Sequence, residues 1–346
     1  MSFIHTPSPA IEAISHADAE IDFQRHDVVG AERGVLDVTM AMRHAGIRRV
    51  RIAWEWQGAS QGEVLVVQGG ISANRHVGSS ARFAEPGWWQ AQCGAGKPID
   101  TSRFRVIAID WLGGDGCLDA CIDPVDQADA IAAVLDHLGV NHVTAYVGAS
   151  YGAMVGLQFA ARHGTRLGRL VAISGAHRSH PQVTALRVIQ RRIVALGRSE
   201  GGIREALALA RSLAVIGYRS DVEFEQRFDA EPSVGPTHTR FAVEDYFDAI
   251  GPKFVARFSP TAYVRLSESI DLQDVSPEAV NVPTDIVAVV EDQIVPEADL
   301  LTLTERICGQ ARLHRVHSLY GHDAFLKEES TIGAILSKAL ERSCRA

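Results

Sequence analysis

Short apolar runs rich in β-branched and aromatic residues recur along the first half of the chain, at 49–56, 63–68, 104–109 and 143–147. Runs of this length predict strands. Between the third and fourth lies Gln127 to Leu138. Its apolar residues Ala128, Ile131, Ala132, Val134, Leu135 and Leu138 recur at the spacing of one helix face. Another strand is expected at 170–174. Strands alternating with helices predict an α/β protein whose mostly parallel sheet is covered on both faces.

The pattern changes near His177. From there to Val280 strand signal is scarce, and 182–197, 202–217, 240–256 and 260–270 read as amphipathic helices. Strands resume at Thr284 to Val290 and Leu313 to Ser318, and Thr331 to Arg342 reads as a last helix. No Gly/Ser/Pro-rich linker marks either border of the helical block. The expectation is a core of residues 1–176 and 281–346 with a helical lid, 177–280, inserted in it. An independent helical domain is the alternative.

One strand leads directly into chemistry. Val143-Thr144-Ala145-Tyr146-Val147 is followed by Gly148-Ala149-Ser150-Tyr151-Gly152 and then by a helical stretch, Met154 to Arg162. A G-x-S-x-G motif between a strand and a helix reads as a nucleophile elbow, a sharp turn that lifts the Ser150 hydroxyl to the top of the sheet. The bland alternative is an ordinary glycine-rich turn. A serine nucleophile needs a histidine base, and the histidine needs an orienting acid. In this arrangement they follow in the order Ser, acid, His. Glu291 and Asp292 stand at the end of the 284–290 strand, and His322 follows the 313–318 strand. Asp292 is preferred over Glu291 because an acid just beyond the strand can swing toward the histidine. With 14 histidines in 346 residues, a surface loop position for His322 is the alternative.

Composition narrows the function further. A net charge of −8 without a block of five like charges argues against a nucleic-acid surface. No apolar run approaches the length of a membrane span. Met1 to Ile14 lacks the basic and apolar regions of a signal peptide. Cys93, Cys117, Cys121, Cys308 and Cys344 are odd in number and scattered, which suggests a reducing cytoplasm. Cys117 and Cys121 have no second pair, so they read as loop thiols and no metal site is expected.

The chain also resembles the homoserine O-acyltransferases of methionine biosynthesis, within the α/β-hydrolase superfamily. The likeness runs from about residue 48 to the C-terminus. Ile52-Ala53-Trp54-Glu55-Trp56-Gln57-Gly58 is similar to the family's V-A-Y-E-T-W-G. Gly87-Trp88-Trp89, with Gly96-Lys97-Pro98-Ile99-Asp100-Thr101, resembles G-W-W…G-K-x-I-D-T. Ile216-Gly217-Tyr218-Arg219-Ser220 resembles I-T-Y-R-S. Val243-Glu244-Asp245-Tyr246 with Lys253-Phe254-Val255 resembles V-E-S-Y…K-F-V, and Gly321-His322-Asp323-Ala324-Phe325-Leu326 reproduces G-H-D-A-F-L.

The resemblance implies a triad of Ser150, Asp292 and His322, with Arg219 gripping a substrate carboxylate and Asp323 near its ammonium. It implies acyl-CoA as cosubstrate rather than a bound cofactor, small-molecule partners, and a homodimer. The oxyanion would be held by the Tyr151 N–H and by a donor around Gly70-Ile71. Three features depart from the family: Tyr151-Gly152-Ala153 replaces M-G-G, Gly113-Gly114-Asp115-Gly116-Cys117-Leu118 replaces G-C-x-G-S-T-G-P, and Asp110 replaces an asparagine. Acetyl and succinyl donors both remain open, and a succinyl pocket needs an extra cation, for which Arg75 is one candidate. The expected reaction is acyl transfer to homoserine through acyl-Ser150. A serine acceptor, an esterase and a non-catalytic binding protein are the competing readings.

Overall fold

A computed structural model describes residues 29–199 and 201–343; Met1 to Ile14 and Cys344, discussed above, lie outside the described residues. The central sheet has eight strands: β1 (Val29–Met42), β2 (Gly46–Ala59), β3 (Glu63–Gln68), β4 (Phe104–Ile109), β5 (Ala145–Ala149), β6 (Leu170–Ile173), β7 (Thr284–Val289) and β8 (Ala311–Val316). Their spatial order is β1-β2-β4-β3-β5-β6-β7-β8. Strand β2 runs antiparallel to both neighbours, and the pairings from β4 to β8 are parallel.

The alternation of side chains explains the apolar runs. Leu65 and Val67 of β3 enter one core with Val147 of β5 and Val287 of β7, while Val66, Tyr146 and Ile286 from the same strands enter the other. Helices α1 (Pro124–His137), α2 (Tyr151–His163) and α8 (Glu297–Arg306) cover the second face. Helix α10 (Glu329–Ser343) covers the first with Ile332 and Leu336. A sheet buried on both sides has no use for polar strand positions, so its strands read as near-continuous apolar segments. Helix α1 starts where Asp123 accepts the Val125 N–H at 2.9 Å while Asp126 accepts the Asp123 N–H at 2.8 Å, a reciprocal cap behind Pro124.

Between β6 and β7 run α3 (Pro181–Ser199), α4 (Ile203–Tyr218), α5 (Asp221–Phe228), α6 (Ala242–Val255) and α7 (Pro260–Asp271). Helices α3, α4 and α7 share a small core of Val194, Leu207, Ala210 and Tyr263, against which Phe254 and Val255 of α6 pack. A four-residue helix, α9 (Ala324–Lys327), precedes α10. Two-residue ladders at 93–94 with 99–100 and at 233–234 with 239–240, and 3-10 turns at Gly164–Arg166, Pro277–Ala279 and Gly321–Asp323, complete the described secondary structure. No helix among the described residues is long and apolar enough to cross a membrane.

Besides α9 and the two short ladders, three larger elements were not foreseen. Strand β1 is largely solvent-facing on the sheet edge, so it lacks an apolar run. Helix α5 is short and mostly polar, and α8 buries only Asp299, Leu300 and Leu303.

The strand order fixes where chemistry can occur. After β4 the chain crosses over β3 to place β5 on the other side. A crevice therefore opens at the C-terminal ends of β3 and β5, where the order reverses. Those ends carry Gly69-Gly70 and Ser150.

Candidate active site

Ser150 sits in the turn between β5 and α2 at φ 54° and ψ −119°, a backbone conformation few non-glycine residues adopt. The flanking glycines allow it. A Cβ on Gly148 would lie 2.3 Å from the Gly152 carbonyl oxygen, and one on Gly152 would lie 2.2 Å from that of Gln68. The turn is fixed by the Ser150 N–H donating to Ile173 O at 2.8 Å and the Gly152 N–H donating to Gly69 O at 2.9 Å.

Ser150 Oγ lies 2.7 Å from His322 Nε2, and His322 Nδ1 lies 2.6 Å from Asp292 Oδ2. The other Asp292 oxygen accepts the backbone N–H groups of Ile294 and Val295 at 2.8 and 3.0 Å. Glu291 faces away: its carboxylate meets His317 Nδ1 at 2.9 Å and the Ser318 N–H at 2.8 Å. His322 occupies a single 3-10 turn, Gly321–Asp323, and is buried. Burial alone would lower its pKa, but the charge and hydrogen bond of Asp292, with Asp323 adding, hold it above the usual histidine value. The Gly87-Trp88-Trp89 segment supports this turn, since Trp89 Nε1 donates to Phe325 O at 2.9 Å.

Ser150 opens into a cavity of about 520 Å³ whose wall includes Gly70, Ile71, Tyr151, Trp88, His322 and Asp323. A Cβ built on Gly70 would stand 3.9 Å from Ser150 Oγ, so this loop abuts the hydroxyl. The backbone N–H groups of Gly70, Ile71 and Tyr151 make no hydrogen bond among the described residues. Unused donors around a serine hydroxyl are what an oxyanion requires. Tyr151 directs its ring inward, where its hydroxyl meets Ser269 Oγ of α7 at 2.6 Å.

The charged candidates are placed differently from one another. Asp323 is on the cavity wall. Arg219 follows α4 and stands behind Asp323. Its Nη2 is 3.2 Å from Asp323 Oδ2, and its Nη1 donates to both Glu223 oxygens at 3.0 and 3.1 Å. Burial depresses its pKa, and Asp323 and Glu223 more than compensate. Arg75 is not on the cavity wall. It binds Asp110 through its Nη1 and, at 2.7 Å, through its backbone N–H. The asparagine-to-aspartate departure thus supplies Arg75 with a partner, and this removes Arg75 as the cation for an acyl tail.

Sequence reasoning missed several wall residues. Ser174, just past β6, has φ 50° and a buried Oγ without a partner among the described residues. Arg178, Arg187 and Arg211 also reach the cavity. Arg187 and Arg211 are on amphipathic helices, where an arginine facing inward has the same sequence signature as one facing water, and Arg178 lies in the segment before α3, where no periodic pattern marks it.

Residues 63–329 match the family described as the alpha/beta hydrolase fold. The chain is 50% identical over 340 residues to a homoserine O-succinyltransferase of Xanthomonas campestris pv. campestris, covering 98% of this chain and 91% of that protein. It is 31% identical over 344 residues to a serine O-succinyltransferase of Litchfieldella anticariensis, covering 85% of this chain and 93% of the relative. Among solved structures, a homoserine O-acetyltransferase from Bacillus anthracis superposes with a TM-score of 0.81 at 16% identity, covering 91% of this chain and 98% of that one. Esterase E22 superposes with a TM-score of 0.80 at 15% identity, covering 90% and 100%. At those identities the structural likeness speaks for the fold alone.

Proposed function

Because this chain belongs to the homoserine O-acyltransferase family of the α/β-hydrolase superfamily, we propose that it transfers the succinyl group of succinyl-CoA to the hydroxyl of L-homoserine through an acyl-Ser150 intermediate, in methionine biosynthesis. The observation that carries the substrate class is the 50% identity to a homoserine O-succinyltransferase across 98% of the chain. The hydrogen-bonded series Ser150–His322–Asp292, at 2.7 and 2.6 Å, supports the mechanism.

Neutral His322 takes the Ser150 proton through Nε2 as Oγ attacks the thioester carbonyl. Asp292 holds the Nδ1–H and stabilises the imidazolium. The oxyanion receives the Tyr151 N–H and an N–H of Gly70 or Ile71. As the tetrahedral adduct collapses, His322 returns the proton to the CoA sulfur and the thiol leaves. In the second half, His322 takes the proton of the homoserine hydroxyl, that oxygen attacks the acyl-serine carbonyl, and Ser150 leaves with the proton. A zwitterionic acceptor matches the Asp323–Arg219 pair with the charges reversed. Its ammonium turns to Asp323, and its carboxylate replaces Asp323 on Arg219. The helices between β6 and β7 serve as a lid that keeps water from the acyl-enzyme. We take acyl-CoA to be a cosubstrate with no resident cofactor, and the enzyme to act as a cytoplasmic homodimer, as the family resemblance implies.

The test is an assay of purified protein with homoserine and with serine, each against succinyl-CoA and acetyl-CoA, following CoA release and O-acyl product together. Succinyl-CoA with homoserine should give the highest kcat/KM, with parallel initial-rate lines, and Ser150→Ala should abolish turnover. Release of CoA without O-acyl amino acid would make the protein an esterase. A preference for serine would reassign the acceptor, and intersecting lines would remove the acyl-enzyme.

A further inference from the structure

The cavity has a side recess on the edge of the oxyanion loop. Ile71 and Ser72 line it together with Arg211, Tyr218, Phe254 and Tyr263. Ser150, His322 and Asp323 line the main cavity but not this recess. The recess shares Ile71 and Ser72 of the oxyanion loop with the main cavity, and Asp323 does not line it.

Three arginines reach the main cavity, and their charges are treated differently. Arg178 is paired with Asp299 at 2.9 Å, and Arg187 with Asp271 at 2.6 Å. Arg211 forms no ion pair or hydrogen bond among the described residues. It is half-buried on α4 and held by two aromatic faces, with its guanidinium carbon 5.2 Å from the Tyr218 ring centre and 5.0 Å from that of Phe254. Aromatic faces orient a guanidinium without neutralising it or occupying its N–H donors. The same Tyr218 ring stacks on the His322 imidazole, centroids 5.9 Å apart. One aromatic ring thus separates the uncompensated cation from the catalytic base.

The recess itself, about 20 Å³, has room for little more than a water, but Arg211 also lines the main cavity of about 520 Å³, and there a fixed guanidinium with all donors unused, on the oxyanion-loop side, suits a carboxylate at the far end of a short acyl chain. We propose that Arg211 is the residue that selects a dicarboxylic acyl donor by pairing with its distal carboxylate. This rests on the acyl-transfer reading above and names the side chain that would set donor choice within it. An acetyl group, ending in a methyl, leaves Arg211 unpaired and gains nothing from it.

The test compares wild type, Arg211→Gln and Arg211→Lys in the full chain, with kcat/KM for succinyl-CoA and for acetyl-CoA at saturating homoserine, and the homoserine KM with each donor. In Arg211→Gln the ratio of succinyl-CoA to acetyl-CoA kcat/KM should fall about 30-fold or more, as expected for losing a charge-assisted pair. The homoserine KM should hold, and Arg211→Lys should recover part of the ratio. Intact-protein mass after mixing with each donor, without acceptor, gives a second readout: the succinyl adduct on Ser150 should form more slowly in Arg211→Gln relative to the acetyl adduct. An unchanged ratio overturns the proposal, as do equal losses with both donors in Arg211→Gln and Arg211→Lys alike. A raised homoserine KM with both donors would assign Arg211 to the acceptor carboxylate instead. Wild type that turns over acetyl-CoA alone would refute the donor assignment and leave acyl transfer standing. Wild type that forms an O-acyl product with neither donor would refute the acyl-transfer reading itself.

Discussion

Asp292 and Glu291 are adjacent in sequence, and the backbone beyond β7 sends them opposite ways. One meets His322 at 2.6 Å and the other meets His317 at 2.9 Å. The pH dependence of acylation should separate them. In the proposed mechanism His322 must be neutral to accept the Ser150 proton, and its pKa is raised above the ordinary 6.5. Donor kcat/KM should therefore climb with pH through a limb lying above that value. In Asp292→Asn the groups that raise the pKa shrink to Asp323 while burial remains, so the limb should move to lower pH. The plateau should drop about 10³-fold or more, because the imidazole loses both its orientation and its counter-charge. Glu291→Gln should leave limb and plateau near wild type. The opposite outcome in a pH series of CoA release would transfer the acid role to Glu291. At this scale, the residues legible in the sequence were those tied to the ends of strands: Ser150, Asp292 and His322. Arg75 could not be placed, because its fate depends on Asp110, 35 positions away in the chain.

The elbow is the element on which all of this depends, and its glycines respond to crowding that the sequence shows only as a motif. In Gly152→Ala the new Cβ would meet Gln68 O at 2.2 Å and Gly69 O at 2.7 Å, both backbone atoms at the end of β3. Neither can move without shifting the loop that borders Ser150. Gly152→Ala should cost about 2 kcal/mol or more through overpacking and should abolish acylation. Gly164→Ala is the matched control. That residue has φ −57°, and the nearest atom to its new Cβ is Val282 Cγ1 at 3.8 Å. It should be neutral or stabilising by about 0.5 kcal/mol. Urea midpoints and acyl-adduct formation on both variants would check this, and a Gly152→Ala protein with wild-type stability would refute the crowding argument. Buried strands and long amphipathic helices were legible, because burial on two faces or on one leaves a periodic trace. Strand β1 was not. It pairs with β2 as a hairpin, Met42 opposite Gly46, but its outward positions include Glu32, Asp37 and Thr39, so the apolar positions alternate with polar ones and form no run.

Across the whole molecule, two bodies of unequal strength meet above Ser150. The sheet and its covering helices have two extensive cores, one of which α7 joins through Leu266, whereas α3, α4, α6 and α7 share a small one centred on Val194, Leu207, Ala210 and Tyr263. Amide exchange should therefore be faster across 181–271 than in β3 and β5. The contact that ties the weaker body to the stronger one at the elbow is the buried Tyr151 hydroxyl on Ser269 Oγ, at 2.6 Å. Tyr151→Phe removes it while keeping the backbone N–H proposed for the oxyanion. Ser269 Oγ then loses that partner in a buried place, at a cost of about 1–3 kcal/mol. That cost falls on the packing of α7 against the elbow rather than on the sheet. The expected result is faster exchange in 260–271 with β3 and β5 unchanged. Acylation should stay near wild type, and more of the acyl-enzyme should be lost to water, read as CoA released in excess of O-acyl-homoserine. If exchange rises uniformly over sheet and helices, Tyr151 supports the whole fold rather than the seam. If exchange rises only in α7 and the two products stay in step, the helices do not exclude water from Ser150, and the lid assignment fails.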